Sequence, residues 1–126
     1  MLRRKIGLIL MFVFLFPLIA RAEEAFTQAK FDALNKKGKP VLVDIYADWC
    51  STCKKQERVL QELLPQPEFK GFTVLRVNFD TQSAVVKAFD AHFQSTLIVY
   101  KNGKEAGRVT GETDSNRIAA LLRDAL

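Results

Sequence analysis

Cys50 and Cys53 are the only cysteines in the sequence, and two residues separate them. They sit in the stretch Trp49-Cys50-Ser51-Thr52-Cys53-Lys54, just after an apolar run from Val41 to Tyr46. A Cys-x-x-Cys pair at such a strand-to-helix junction reads as a reversible dithiol. The N–H groups in the first turn of a helix have no intrahelical partner, and with the helix dipole they favour negative charge. A cysteine placed there is held towards the thiolate, which is the nucleophile in disulfide exchange. Cys50 is then the exposed, attacking cysteine. Cys53, one turn on and on the same side, is the buried, resolving cysteine that breaks the mixed disulfide.

Other uses of the pair are weaker. A bridge over so short a loop constrains the unfolded chain little, so it is a poor staple. A zinc site usually needs four ligands, and the chain offers two cysteines and a single, distant His92. A metal-binding or metal-delivery module built on the same cysteines, shared between two chains, is the alternative to redox work. An inactive binding domain is a third. His92 reads as a surface residue or a partner for a helix C-terminus. Lys54, Lys55 and Arg58 read as a solvated helix face, although they could also favour a thiolate or an acidic partner.

The elements that must position the pair follow from periodicity. Residues 29–34 pattern as a helix with Phe26, Ala29, Ala33 and either Phe31 or Leu34 inward, stopped by Gly38 and Pro40. Val41 to Tyr46 is a strand buried on both faces. Residues 50–64 form the helix after the cysteines, with Val59, Leu60, Leu63 and Leu64 as its apolar stripe, ended by Pro65 and Pro67. Residues 72–79 are a second buried strand and residues 83–92 a shorter helix. Thr96 to Tyr100 is a third strand, and Asn102-Gly103 turns it into a hairpin with residues 105–110. Thr113 or Asp114 caps a last helix through Leu122, with Ile118, Leu121 and Leu122 inward. Strands separated by helices should run parallel and the hairpin pair antiparallel. The expected fold class is α/β, a mixed central sheet flanked by helices on both faces.

The chain has 126 residues, enough for one domain, and its formal net charge is +5. Four basic residues, Arg3, Arg4, Lys5 and Arg21, lie in the first 22 residues, where there is no acidic one. The remainder is close to neutral and carries no basic stripe with interleaved aromatics, so a nucleic-acid partner is not indicated. Residues 1–22 have the positive, apolar and small-x-small order of a secretory signal peptide, with cleavage expected after Ala22. An uncleaved anchor is the alternative, but the apolar run is shorter than the roughly 20 residues a span needs. The domain would then be residues 23–126, exported or periplasmic, where disulfides persist.

Val41-Leu42-Val43-Asp44-Ile45-Tyr46-Ala47-Asp48-Trp49-Cys50-Ser51-Thr52-Cys53-Lys54 resembles the active-site region of the thioredoxin family. The similarity continues through residues 74–80, through Thr96-Leu97-Ile98-Val99-Tyr100-Lys101-Asn102-Gly103-Lys104, and to Gly111. It implies a thioredoxin fold and exchange of electrons with protein disulfides, without a cofactor or a metal. Tyr-Ala-Asp-Trp-Cys also resembles the C-terminal domain of the transmembrane disulfide reductase of bacterial envelopes, and a membrane reductase is the implied electron donor of what should be a monomer.

The resemblance also implies roles. Asp44 matches the family's buried aspartate, a proton acceptor and donor behind the resolving cysteine. Its apolar neighbours Val43 and Ile45 fit that, since burial raises a carboxyl towards the range of a general base. Arg76 matches a position that often carries a lysine near that aspartate, or else is a solvated charge at a strand end. Trp49 matches the tryptophan beside the cysteines. Ser95 stands, before Thr96, where the family has the cis-proline that faces the cysteines and shapes the peptide groove. A cis bond before serine costs about 2.5–4 kcal/mol, so a trans Gln94–Ser95 peptide is expected. Ser51-Thr52 replaces the usual Gly-Pro, and Arg58 replaces a helix-kinking proline, so a straighter helix is expected.

Overall fold

The computed structural model describes residues 23–126, together with Phe12, Val13 and Leu15. The expected signal peptide otherwise lies outside the described residues. Among the described residues, no helix is long and apolar enough to cross a membrane.

Five strands form one sheet in the order β1-β3-β2-β4-β5. They are β1 (Glu23–Ala25), β2 (Val41–Tyr46), β3 (Thr73–Asn78), β4 (Thr96–Lys101) and β5 (Lys104–Thr110). The helices are α1 (Gln28–Lys36), α2 (Ser51–Leu63), α3 (Ser83–Ala88) and α4 (Ser115–Arg123). β2 is central, and its residues from Val41 to Ile45 are all buried. Its alternation divides the core in two. Val41, Val43 and Ile45 join Leu75, Val77 and Ile98 under Phe26, Phe31, Leu34, Val86 and Phe89. Leu42 joins Val74, Leu97 and Val99 under Leu60, Leu63, Ile118, Leu121 and Leu122. Thus α1 and α3 cover one face, and α2 and α4 the other.

β1 is not foreseen in the sequence, because its three residues are all exposed and leave no apolar alternation. It is held by parallel pairing of Glu23 to Ala25 with Val74 to Arg76. Phe26, just before α1, is buried; within α1, Phe31 and Leu34 are half-buried, but Ala29 and Ala33 are exposed. The bulky aromatics take the inward stripe and rotate the alanines out. Phe26, Phe31, Phe89 and Tyr100 meet edge-on or tilted, with centroids 5.0–5.9 Å apart.

β2 and β3 are parallel as expected, but β4 runs antiparallel to β2 although a helix precedes it. The length of α3 explains this. Six residues of helix advance about 9 Å, whereas six residues of strand advance about 20 Å. α3 by itself does not carry the chain back along the sheet, and β4 starts at the end where β3 stopped. α3 also ends earlier than expected, at Ala88. Asp90 turns the chain at φ 52°, and Arg108 takes the freed carbonyls, donating to Phe89 O at 2.9 Å and Asp90 O at 3.1 Å. The hairpin forms at Asn102 and Gly103 with φ of 52° and 78°, the left-handed pair that a two-residue turn needs. Asp114 caps α4, accepting from Arg117 N at 3.0 Å.

Candidate active site

Antiparallel pairing brings the end of β2, the start of β4 and the end of β5 to one edge of the sheet. Ile45 stands opposite Thr96, and Thr96 opposite Thr110. At this edge the chain leaves β2 through Ala47 and enters α2 at Cys50, the N-cap. Cys50 and Cys53 are joined as a disulfide. The Cys53 N–H donates to Cys50 Sγ at 3.0 Å, so the sulfur takes the place of an N-cap oxygen and faces the positive end of the helix. Both cysteines are buried, Cys50 at 4% and Cys53 at 7% exposure, packed with Ala47 and flanked by Tyr46 and Phe79. The expectation that Cys50 is the exposed one does not hold in this oxidised state. The bond draws the Cys50 sulfur onto the first turn of α2.

The buried stripe of α2 is Cys53, Gln56, Leu60 and Leu63. It lies on the face of the sheet from which Leu42 and Asp44 project, since alternate strand residues share a face. Asp44 is buried. It lines a cavity of about 390 Å³ with Glu23, Glu57, Leu60, Gln61, Leu64, Pro65 and Val74. Burial raises its carboxyl from the ordinary 3.8 to about 6, opposed by the Arg76 guanidinium and reinforced by the negative charges of Glu23 and Glu57. Arg76 is the register partner of Asp44 on β3. Its Nε lies 3.6 Å from Asp44 and 3.1 Å from Glu23, and its guanidinium lies 3.7 Å over the Tyr46 ring. It is therefore not a solvated strand-end charge.

Trp49 lies beside the disulfide but is no core aromatic. It is 63% exposed, and its Nε1 donates to Asp80 at 2.8 Å. Ser95 and Thr96 are buried at the start of β4. The Gln94–Ser95 peptide is trans, and Ser95 has φ 60°. The Thr96 hydroxyl donates to Phe93 O at 2.7 Å and meets the Thr110 hydroxyl at 3.0 Å. α2 runs unbroken through Arg58. Lys54, Lys55 and Arg58 are exposed. His92 is on the surface, 3.6 Å from Asp90. Among the described residues, no three His, Cys, Asp or Glu side chains gather into a metal-holding group.

Four residues of this region escaped the sequence reading: Glu23, Gln56, Glu57 and Asp80. Gln56 could have been found, because it occupies an inward position of α2, three residues after Cys53 and four before Leu60.

The family model described as Thioredoxin matches residues 22–124. The thioredoxin of Mycobacterium bovis is 36% identical over 100 residues, covering 78% of this chain and 82% of that protein. The chloroplastic thioredoxin Y of rice is 32% identical over 101 residues, covering 79% of this chain and 60% of that longer protein. Among solved structures, Trxlp from Edwardsiella tarda is 46% identical with a TM-score of 0.77, covering 79% of this chain and 97% of that one. A mutant thioredoxin of Halobacterium salinarum is 26% identical with a TM-score of 0.69, covering 80% of this chain and 87% of that one.

Proposed function

The chain belongs to the thioredoxin family of thiol–disulfide oxidoreductases, and from that premise we propose that it works outside the cytoplasm as a monomeric reductase of protein disulfides. The observation that carries this reading is the Cys50–Cys53 disulfide at the start of α2, with the Cys53 N–H on the Cys50 sulfur. In the reduced protein the same N–H and helix terminus favour a Cys50 thiolate. That thiolate attacks one sulfur of a substrate disulfide and expels the other as a thiolate, leaving a mixed disulfide. Asp44 takes the proton of Cys53, whose thiolate then attacks Cys50 Sγ and releases the second substrate thiolate. Two electrons pass to the substrate, and Cys50 and Cys53 end as the disulfide.

Arg76 supports Asp44 by limiting the rise of its pKa. Trp49, Ser95 and Thr96 form the surroundings in which a substrate peptide lies. A membrane disulfide reductase is the electron donor that this cycle needs. Export rests on the leader-like residues 1–22. The first strand opens at Glu23, so cleavage after Ala22 would leave every described strand and helix in place.

The test is the equilibrium reduction potential of the purified protein against a thiol buffer. A value near thioredoxin's roughly −270 mV supports the reductase, and one near about −120 mV makes it an oxidant instead. The absence of a reversible two-cysteine couple would end the redox reading.

A further inference from the structure

Gln56 is an anomaly in α2. The positions facing the sheet call for apolar side chains, yet Gln56 is polar and only 1% exposed. Its Nε2 donates to Ser95 O and to Glu112 O, each at 3.0 Å. Its Oε1 is buried with no hydrogen-bond partner among the described residues. The amide orientation is forced, because reversing it would set Oε1 against two carbonyl oxygens. The residue thus uses both of its N–H donors and leaves its acceptor bare. A site that merely tolerated a glutamine would not be built in this way.

Both carbonyls belong to segments at the dithiol edge of the sheet. Ser95 leads into β4 and Glu112 leads out of β5. The Ser95 carbonyl also accepts from Gly111 N at 2.9 Å, so both of its lone pairs are committed. Ser95 itself holds φ 60°, a conformation that a residue with a Cβ keeps only when its surroundings impose it. The two bonds on its carbonyl, together with the one its own hydroxyl donates to Gln94 O at 2.5 Å, are the polar contacts that hold it there. One of them starts from the helix that carries the dithiol, one turn beyond Cys53.

We propose that Gln56 is the positioning residue of the substrate groove: it ties the trans, left-handed Ser95 to the dithiol helix and gives that loop the fixed shape for which the family uses a cis-proline. The proposal rests on the reading of Ser95 as part of the surface that receives a protein disulfide. Without the tie, Ser95 relaxes to negative φ, and the preceding residues, including Phe93 with 65% of its surface exposed, move relative to Cys50. A protein substrate needs that loop in place. A small disulfide does not.

The experiment compares the purified protein with Gln56→Met, which keeps the length and loses both donors. Reduction of a disulfide-bonded protein such as insulin is measured beside reduction of a small linear disulfide, bis(2-hydroxyethyl) disulfide. The ratio of the two kcat/KM values should fall about tenfold, through KM for the protein substrate. Hydrogen exchange at the Gly111 amide should rise in parallel. An unchanged ratio, or an equal fall for both substrates, overturns the proposal, the second by making Gln56 a support of the dithiol itself. An unsubstituted protein that reduces the small linear disulfide but leaves insulin oxidised overturns the reading of Ser95 instead, and the proposal falls with it. Should Gln56→Met not fold, the unsubstituted protein decides. Its Gln56 side-chain amide protons must exchange slowly in both redox states, and fast exchange overturns the tie.

Discussion

The Arg76 guanidinium lies 3.6 Å from the Asp44 carboxylate, near enough to temper the cost of burying that charge but not to cancel it. The carboxyl rises from 3.8 to about 6, with burial as the main cause. An acid whose pKa is raised by folding binds its proton more tightly in the native state than in the unfolded chain. The native state is therefore favoured below pH 4, and this advantage is lost as pH rises through 6. A rise of that size corresponds to about 3 kcal/mol. Asp44→Asn removes the charge, so it should stabilise the oxidised protein by up to about 3 kcal/mol above pH 7, and by almost nothing near pH 4. Urea unfolding at the two pH values measures this. An equal change at both would mean that packing, not charge, governs the site.

Glu23 competes with Asp44 for the same guanidinium, at 3.1 Å, and its own charge raises the Asp44 pKa. Two substitutions should therefore move Asp44 in opposite directions. Arg76→Gln removes the stabilising charge, so the carboxyl should titrate above 6. Glu23→Gln removes a like charge and leaves Arg76 to Asp44, so it should titrate below 6. Following the Asp44 carboxyl carbon by NMR across pH 4–9 reads both. Shifts in the same direction would show that the strand β1 acts through packing rather than charge.

Much of this site is legible in the sequence because its signals are local. Cys50 and Cys53 declare themselves by spacing, and Asp44 by the resemblance to the thioredoxin family, which its apolar neighbours Val43 and Ile45 fit. The rest depends on contacts made across the fold. Glu23 reads as the exposed start of the domain, and only its pairing beside β3 brings it to Arg76. Gln56 looks like one more polar residue after Lys54 and Lys55, because its partners at Ser95 and Glu112 are 39 and 56 residues away. A helix between two strands suggests that they run parallel, but α3 is only six residues long and β4 runs antiparallel to β2. Helical spacing alone turns Ala29 and Ala33 inward, whereas Phe26, Phe31 and Leu34 claim that space.

Cys50 and Cys53 are buried to nearly the same extent in the disulfide, so exposure in this state does not distinguish them. The helix terminus distinguishes them. Among the described residues, the Cys50 sulfur alone of the two receives a backbone N–H, that of Cys53, and this contact favours its thiolate. In the reduced protein at pH 7, iodoacetamide should modify Cys50 on the order of tenfold faster than Cys53. Peptide mass mapping after brief labelling checks this, and prior labelling of Cys53 would reverse the assigned roles. Cys53→Ser should then accumulate a mixed disulfide with substrate through Cys50, whereas Cys50→Ser should accumulate none.

Trp49 stays 63% exposed beside the disulfide, and one bond from Nε1 to Asp80 at 2.8 Å orients it. Asp80 is itself set by a turn in which its N–H and that of Thr81 donate to the Asn78 side chain, at 2.9 and 3.2 Å. The ring is thereby fixed by the end of β3 rather than by the core. A hydrogen bond to a charged group contributes about 1.5–3 kcal/mol when shielded and less on an open surface. Asp80→Ala should thus lower global stability by no more than about 1 kcal/mol while freeing the ring. Trp49 is the single tryptophan, so its emission reports the change directly. The spectrum should shift to the red and lose anisotropy, and Asp80→Asn, which keeps an acceptor oxygen, should largely retain the original spectrum. An Asp80→Ala protein with unchanged emission would show that contacts with the residues around Cys50, and not this bond, hold the ring.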